Sequence, residues 1–278
     1  MVKWRLMLTT LPVVVLAVLL KLFVFDRMPL GGVLEFSDLA FVLTGGVFLV
    51  GFMLAGTMSD YKEAERLPGE VVCALETIEE TFEQAAANKA SLDALSLRIL
   101  VRETADTIDN WLYRRASYEQ VCAALEGLAH GGQALEKVGV APPIGVRVVN
   151  ELHGLRRNLT RMHVISRTGF LSTGYALLET LTVVIVGLLM IARFKSMLAE
   201  GLLVALITLI YVYMIRLIRD IDDPFEYSDR GVAGAAEVDL EVLHAYRKRL
   251  ASRTKPNVAS PARLASARPA APAATIPS

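Results

Sequence analysis

The chain has 278 residues, 54% of them hydrophobic, with 29 basic against 29 acidic side chains for a formal net charge of zero. Mean hydropathy is +0.45, and the apolar residues gather into four blocks separated by charged segments, which excludes an ordinary water-soluble globule. Zero net charge supplies no basic field for nucleic acid, and two cysteines, Cys73 and Cys122, are too few for a disulfide framework.

A bilayer's hydrocarbon core is about 30 Å thick and takes roughly 20 apolar residues in a helix to cross, because lipid offers the backbone no other partner. Four stretches meet that length: Met7 to Phe25, Leu39 to Ser59, Gly169 to Ala192 and Gly201 to Ile218. Lys21, near the end of the first, is expected to snorkel to the headgroups. Phe23-Val24-Phe25-Asp26 offers no small-residue cleavage site, so this stretch reads as a retained anchor. The second is uncharged and carries Thr44, Gly45, Gly46, Gly51, Ala55 and Gly56, small residues that suit close helix packing in lipid. Glu179 is the single charged side chain of the third.

Basic residues set the orientation. Lys3 and Arg5 precede the first span, Lys62 and Arg66 follow the second, Arg156, Arg157, Arg161 and Arg167 precede the third, and Arg216 and Arg219 close the fourth. With four spans these ends share one side; the other side has the loop Asp26 to Asp38, with one Arg against three acids, and a loop whose Arg193 and Lys195 oppose the trend. Both termini and the segment between spans two and three are therefore expected in the cytoplasm. Both cysteines fall in that segment and are expected as small buried, reduced hydrophobes.

Residues 60–168 read as helical, and no β-hairpin signal occurs, so the class is all-α. Val71, Leu75, Ile78 and Phe82 make one apolar stripe at i, i+4, i+7, i+11. Ser91 is a candidate cap for a helix whose face includes Leu92, Leu95, Ile99, Ile108 and Leu112. Val121, Leu125 and Leu128 mark a shorter helix expected to end at Gly131-Gly132, and Pro142-Pro143 suits a helix start. The stripe Leu152, Leu155, Leu159 and Met162 is expected to run into span three, with Arg156, Arg157 and Arg161 turned to water or headgroups. Residues 237–250 read as a helix with acids at its start, Arg247, Lys248 and Arg249 at its end, and an apolar stripe of Leu240, Leu243, Tyr246 and Leu250. Residues 251–278 are rich in Ala, Pro and Ser and are expected to be disordered.

Two features could carry chemistry. Ser172, Tyr175, Glu179 and Thr182 fall at i, i+3, i+7, i+10 and form one polar stripe along span three, lining either a helix contact or a water path. Five carboxylates between Asp220 and Asp229 could hold a hard cation, although the spacing and the missing glycine are not those of an EF-hand. Pro224 should end the fourth helix there. His130, His153, His163 and His244 show no metal-ligand spacing, and no nucleophile–base pattern appears, so neither an enzyme nor a cofactor is expected. The sequon Asn158-Leu159-Thr160 lies in an expected cytosolic helix and is discounted.

The run Leu217-Ile218-Arg219-Asp220-Ile221-Asp222-Asp223-Pro224-Phe225, after closely paired spans, resembles the bacterial bestrophin-like membrane proteins of unknown function. Those proteins tend to close their last span with Asp-x-Pro-Phe, here Asp222, Asp223, Pro224 and Phe225, and share the plan of two spans, a helical cytoplasmic region and two spans. Glu226 departs from the pattern, where a small residue and then Gly are common. More remotely the chain resembles true bestrophins, which implies an oligomeric anion channel and places Asp222 and Asp223 near a calcium-binding acidic cluster; the longer acidic run of that cluster is absent.

The expectation is an all-α polytopic protein: spans one and two in 1–59, helices in 60–168, spans three and four in 169–218, an acidic turn and amphipathic helix in 219–250, then the tail. Four membrane helices are too few to enclose a pore, so a homo-oligomeric ion channel is expected, with Glu179 facing the path. Two alternatives stay open: a non-conducting scaffold or signalling protein whose helices dock partners, and, by shared topology alone, a subunit of a proton-channel motor complex.

Overall fold

The computed structural model describes residues 4–23, 34–167, 172–227 and 236–254. Eight helices carry nearly all of them: α1 (Arg5–Phe23), α2 (Phe36–Asn88), α3 (Ala94–Leu112), α4 (Tyr118–Lys137), α5 (Pro142–Arg167), α6 (Ser172–Ile191), α7 (Met197–Asp222) and α8 (Glu241–Thr254). Two-residue segments, β1 (Leu34–Glu35) and β2 (Ala192–Arg193), pair in parallel with Leu34 opposite Ala192.

Apolar length sorts these helices into two bodies with separate cores. α1, α2, α6 and α7 are the four helices long and apolar enough to cross a membrane. Leu178, Ile185, Leu189, Val204, Tyr211 and Ile218 fill the space between them. Their other faces carry exposed Leu, Val and Phe, as lipid requires of a spanning bundle. The second core joins the far half of α2 to α3, α4, α5 and α8, with Leu75, Ile78, Phe82, Ile108, Leu128, Leu155 and Tyr246 at its centre. α2 belongs to both. It is one helix of 53 residues, about 80 Å at 1.5 Å per residue, so it projects well past a 30 Å hydrocarbon layer.

Several local expectations are corrected. α4 passes through Gly131-Gly132 and continues to Lys137. A Cβ on Gly131 would come within 3.1 Å of Leu100 and 3.2 Å of Phe82, and one on Gly132 within 3.3 Å of Val148. The pair therefore admits close helix approach instead of ending the helix. α3 buries Leu97, Val101, Ala105, Ile108 and Leu112, whereas Leu95 and Ile99 are exposed. Two apolar stripes overlap in this sequence, and the one that includes the small Ala105 fits against α2 and α4. The α3 cap is Asp93, whose side chain accepts from Leu95 N at 3.0 Å, not Ser91. Cys73 is exposed and Cys122 partly so; both are free thiols.

Arg161 keeps its side chain 41% exposed and also reaches across to α2. Its guanidinium donates to both oxygens of Glu63 on α2 at 2.8 and 2.6 Å, joining α5 to α2. α8 begins at Glu241; ahead of it Val238 is anchored, its N–H donating to Pro224 O at 3.0 Å and its carbonyl accepting from Tyr227 Oη at 2.8 Å. Its stripe of Leu243, Tyr246 and Leu250 is buried, and its rim is cationic: Arg247 pairs with Asp106 and Asp109, Arg249 with Glu76, and Arg253 with Glu79. Residues 168–171 between α5 and α6, and residues 255–278, lie outside the described residues.

Candidate functional site

Within the polar stripe of the third span, Tyr175 and Glu179 meet α7. Ser172 is the first residue of α6. Glu179, 48% exposed, forms an ion pair with Arg219 near the end of α7, itself 55% exposed. The same guanidinium lies 5.7 Å from the Tyr175 ring, and the Tyr175 hydroxyl lies beside Asp222. Thr182 is buried and its hydroxyl makes no hydrogen bond to another described side chain. Glu179, Tyr175, Arg219 and Asp222 thus form one cluster joining α6 to α7 at the end nearer the second core. A carboxylate half exposed and matched by a guanidinium avoids the cost of an isolated buried charge.

The closing motif has a structural place. α7 ends at Asp222, and Asp223 leaves the helix with φ −116° and ψ 78°, as a following proline requires. Pro224 and Phe225 are buried, and Phe225 packs into the second core. Asp223 lies 3.9 Å from Arg114; burial first, and then the nearby Glu226, push its carboxyl above the usual range, against the pull of Arg114. Among the described residues no three His, Cys, Asp or Glu side chains gather closely enough to hold a metal ion.

Two features differ from the sequence reading or escaped it. The first is Lys21. Instead of snorkelling it is 2% exposed, paired with Glu200 at 2.8 Å, and it donates to the carbonyls of Met190 at 3.1 Å and Ala192 at 2.9 Å. An ammonium satisfying the last carbonyls of α6 complements the negative end of that helix. It ties α1, α6, β2 and α7 together at the end of the span body remote from Glu179. The usable signal was Glu200, a lone acid at the start of the fourth apolar block.

The second is the free face of α2. Phe41, Gly45, Phe48, Phe52, Ala55, Ser59, Lys62, Arg66, Glu70, Cys73, Glu80 and Gln84 succeed one another every three to seven residues and are all exposed. The stripe begins apolar and aromatic, passes through small residues and becomes charged where the helix leaves the spans. Opposite it, Gly46 meets α7: a Cβ there would collide with the Tyr211 hydroxyl, which donates to Leu43 O at 2.9 Å. Gly45 and Gly51 have nothing within 4 Å. Of the neighbours Gly45 and Gly46, Gly46 alone packs against another of the described elements.

No family model matches the chain, and no curated protein matches its sequence. Solved structures do. A bacterial bestrophin homologue from Klebsiella pneumoniae superposes with a TM-score of 0.69 at 17% identity, covering 91% of this chain and 98% of that one. A variant of that homologue gives 0.69 at 16% identity over 91% and 98%. A structure described only as a membrane protein gives 0.71 at 16% identity over 89% and 98%. The chain is a membrane protein with a bestrophin-like fold.

Proposed function

We propose that the chain is one subunit of a homo-oligomeric ion channel in the bacterial inner membrane, with the open face of α2 lining the path and the helices of the second core on the cytoplasmic side. One observation carries this reading: α2 crosses both bodies without a break and leaves the same face uncovered along its length. Lipid could cover the aromatic part of that face. It cannot cover the charged part, so a face continuous in both media suits a water-filled path narrowing to an apolar constriction. A single copy has too few spans to enclose such a path, and the likeness to bestrophin homologues supports copies arranged around it.

Phe48 and Phe52, 76% and 69% exposed and one turn apart, form the constriction. Rings of apolar side chains gate by excluding water. Glu179 and the polar stripe of α6 stand behind it: held by Arg219, Glu179 sets the α6–α7 contact and the charge near the cytoplasmic mouth. The basic flanks of the spans and the charged helices share that side.

Ion flux into liposomes tests the reading. Wild type is expected to conduct, and Phe52→Ala to raise flux about tenfold, equivalent to roughly 1.4 kcal/mol of barrier. Glu179→Gln is expected to change flux less than about fivefold, as a half-exposed ion pair allows. Absence of flux from both wild type and Phe52→Ala would favour a non-conducting scaffold.

A further inference from the structure

Away from the α2 face, a cavity of about 430 Å³ opens between the turn joining α3 to α4, the last turn of α5 and Phe225. That volume lies within the range of small-ligand pockets, about 300–1,000 Å³. Its lining includes the rings of Trp111, Tyr118, His163 and Phe225 and the side chains of Arg114 and Arg167, with no carboxylate among the lining residues.

The rings form one wall. Tyr118 and His163 stack at 4.0 Å with planes 7° apart, and Trp111 lies 5.5 Å from Tyr118 and 6.0 Å from His163. The Tyr118 hydroxyl is tied to Thr160 Oγ1 at 2.9 Å, which fixes its ring. Burial first, and then the charge of Arg167, hold the His163 imidazole below its ordinary value of 6.5, so it stays a neutral ring near pH 7. Both cations stand at the rim. Arg114 occupies the left-handed region at φ 58°, a conformation costly for a residue with a Cβ, and its guanidinium makes only loose 3.9 Å pairs with Asp223 and Glu226. Arg167 is the final residue of α5 and is exposed.

We propose that this cavity binds a small planar aromatic anion, whose ring stacks on the wall of Trp111, Tyr118 and His163 and whose anionic group is held by Arg114 and Arg167. A bare phosphate or a lipid headgroup would use the guanidinium groups and waste the rings; a neutral aromatic would do the reverse. The site joins the α3–α4 turn to the end of α5, the last described residue before α6, and to Phe225, the final residue of the motif that closes α7. A bound ligand therefore contacts the second core and the roots of two spans together.

The chain contains two tryptophans, so Trp4→Phe leaves Trp111 as the only indole reporter. Full-length Trp4→Phe protein in mild detergent is titrated with adenosine monophosphate and with 4-hydroxybenzoate, following Trp111 emission; adenosine and inorganic phosphate supply the two half-ligands. At least one whole probe is expected to quench saturably, with the half-ligands binding at least about tenfold more weakly. Arg167→Ala is expected to weaken binding about tenfold or more, Arg167→Lys less, and Tyr118→Phe hardly at all, since its ring remains. Unaltered melting of each variant separates lost binding from lost fold. Three results would overturn the proposal: no saturable quenching by either whole probe, inorganic phosphate binding as tightly as adenosine monophosphate, or unchanged affinity in Arg114→Ala/Arg167→Ala.

Discussion

Lys21 and Glu200 illustrate how far a single residue can be read without its partner. A lysine near the end of an apolar helix has an inexpensive default, extension to the headgroups, and nothing local argues against it. The default fails because α6 ends beside it with carbonyls to satisfy and α7 begins beside it with a carboxylate. Lys21→Met leaves Glu200 buried without its cation and is expected to lower stability by about 3–5 kcal/mol; adding Glu200→Met should recover much of that loss. Thermal unfolding of the single and double variants in one detergent checks this, and equal melting of all three proteins would contradict it. Glu179 was legible as a candidate from its position, but its partner Arg219 lies 40 residues away in sequence and was read as a flanking charge. His163 makes a pH prediction with a definite sign. Its imidazole is held below 6.5 in the fold, so its contribution to stability is complete above that value and is lost as pH falls through it to the lower native value. The melting temperature is expected to fall between about pH 7 and pH 5, and to fall less in His163→Phe, which keeps the stack and cannot take up a proton. Identical pH profiles would remove His163 from that dependence.

At the scale of elements, the spans were legible because length and apolarity decide them, and the helices of the second core because their stripes recur at helical spacing. Glycine was harder. In isolation Gly131-Gly132 resembles a helix stop, and only the neighbours Leu100, Phe82 and Val148 identify it as a contact. Gly154 of α5 has the same helical setting and nothing within 4 Å of a built Cβ. Gly154→Ala is therefore expected to stabilise by about 0.5–1 kcal/mol, whereas Gly131→Val should destabilise by about 1–3 kcal/mol through overpacking. Denaturation of the two variants under one set of conditions checks the opposed signs. The continuity of α2 was not legible either. Asp60 to Glu70 is charged enough to look like a boundary, yet it buries Ala64, Leu67 and Pro68 and keeps the helix intact. A helix that changes solvent midway shows two compositions and one periodicity, and composition dominates a linear reading.

For the molecule as a whole, two cores sharing one helix explain why a bestrophin-like fold is reached at 17% identity. The constraint is on where apolar faces lie and how helices connect, and many sequences satisfy it. The proposed ion path is the least legible feature, because it would belong to no single chain: the face that would line it is defined by what one copy leaves uncovered. Phe48→Cys in a Cys73→Ser/Cys122→Ser background places one thiol per subunit on that face, and Leu206→Cys in the same background places one on an exposed position of α7 as a control. Oxidation in native membranes is the most direct measurement. Disulfide-linked dimers are expected from Phe48→Cys and not from Leu206→Cys; a Phe48→Cys protein that stays monomeric, or that cross-links no better than the control, would contradict a path formed by α2 from several copies.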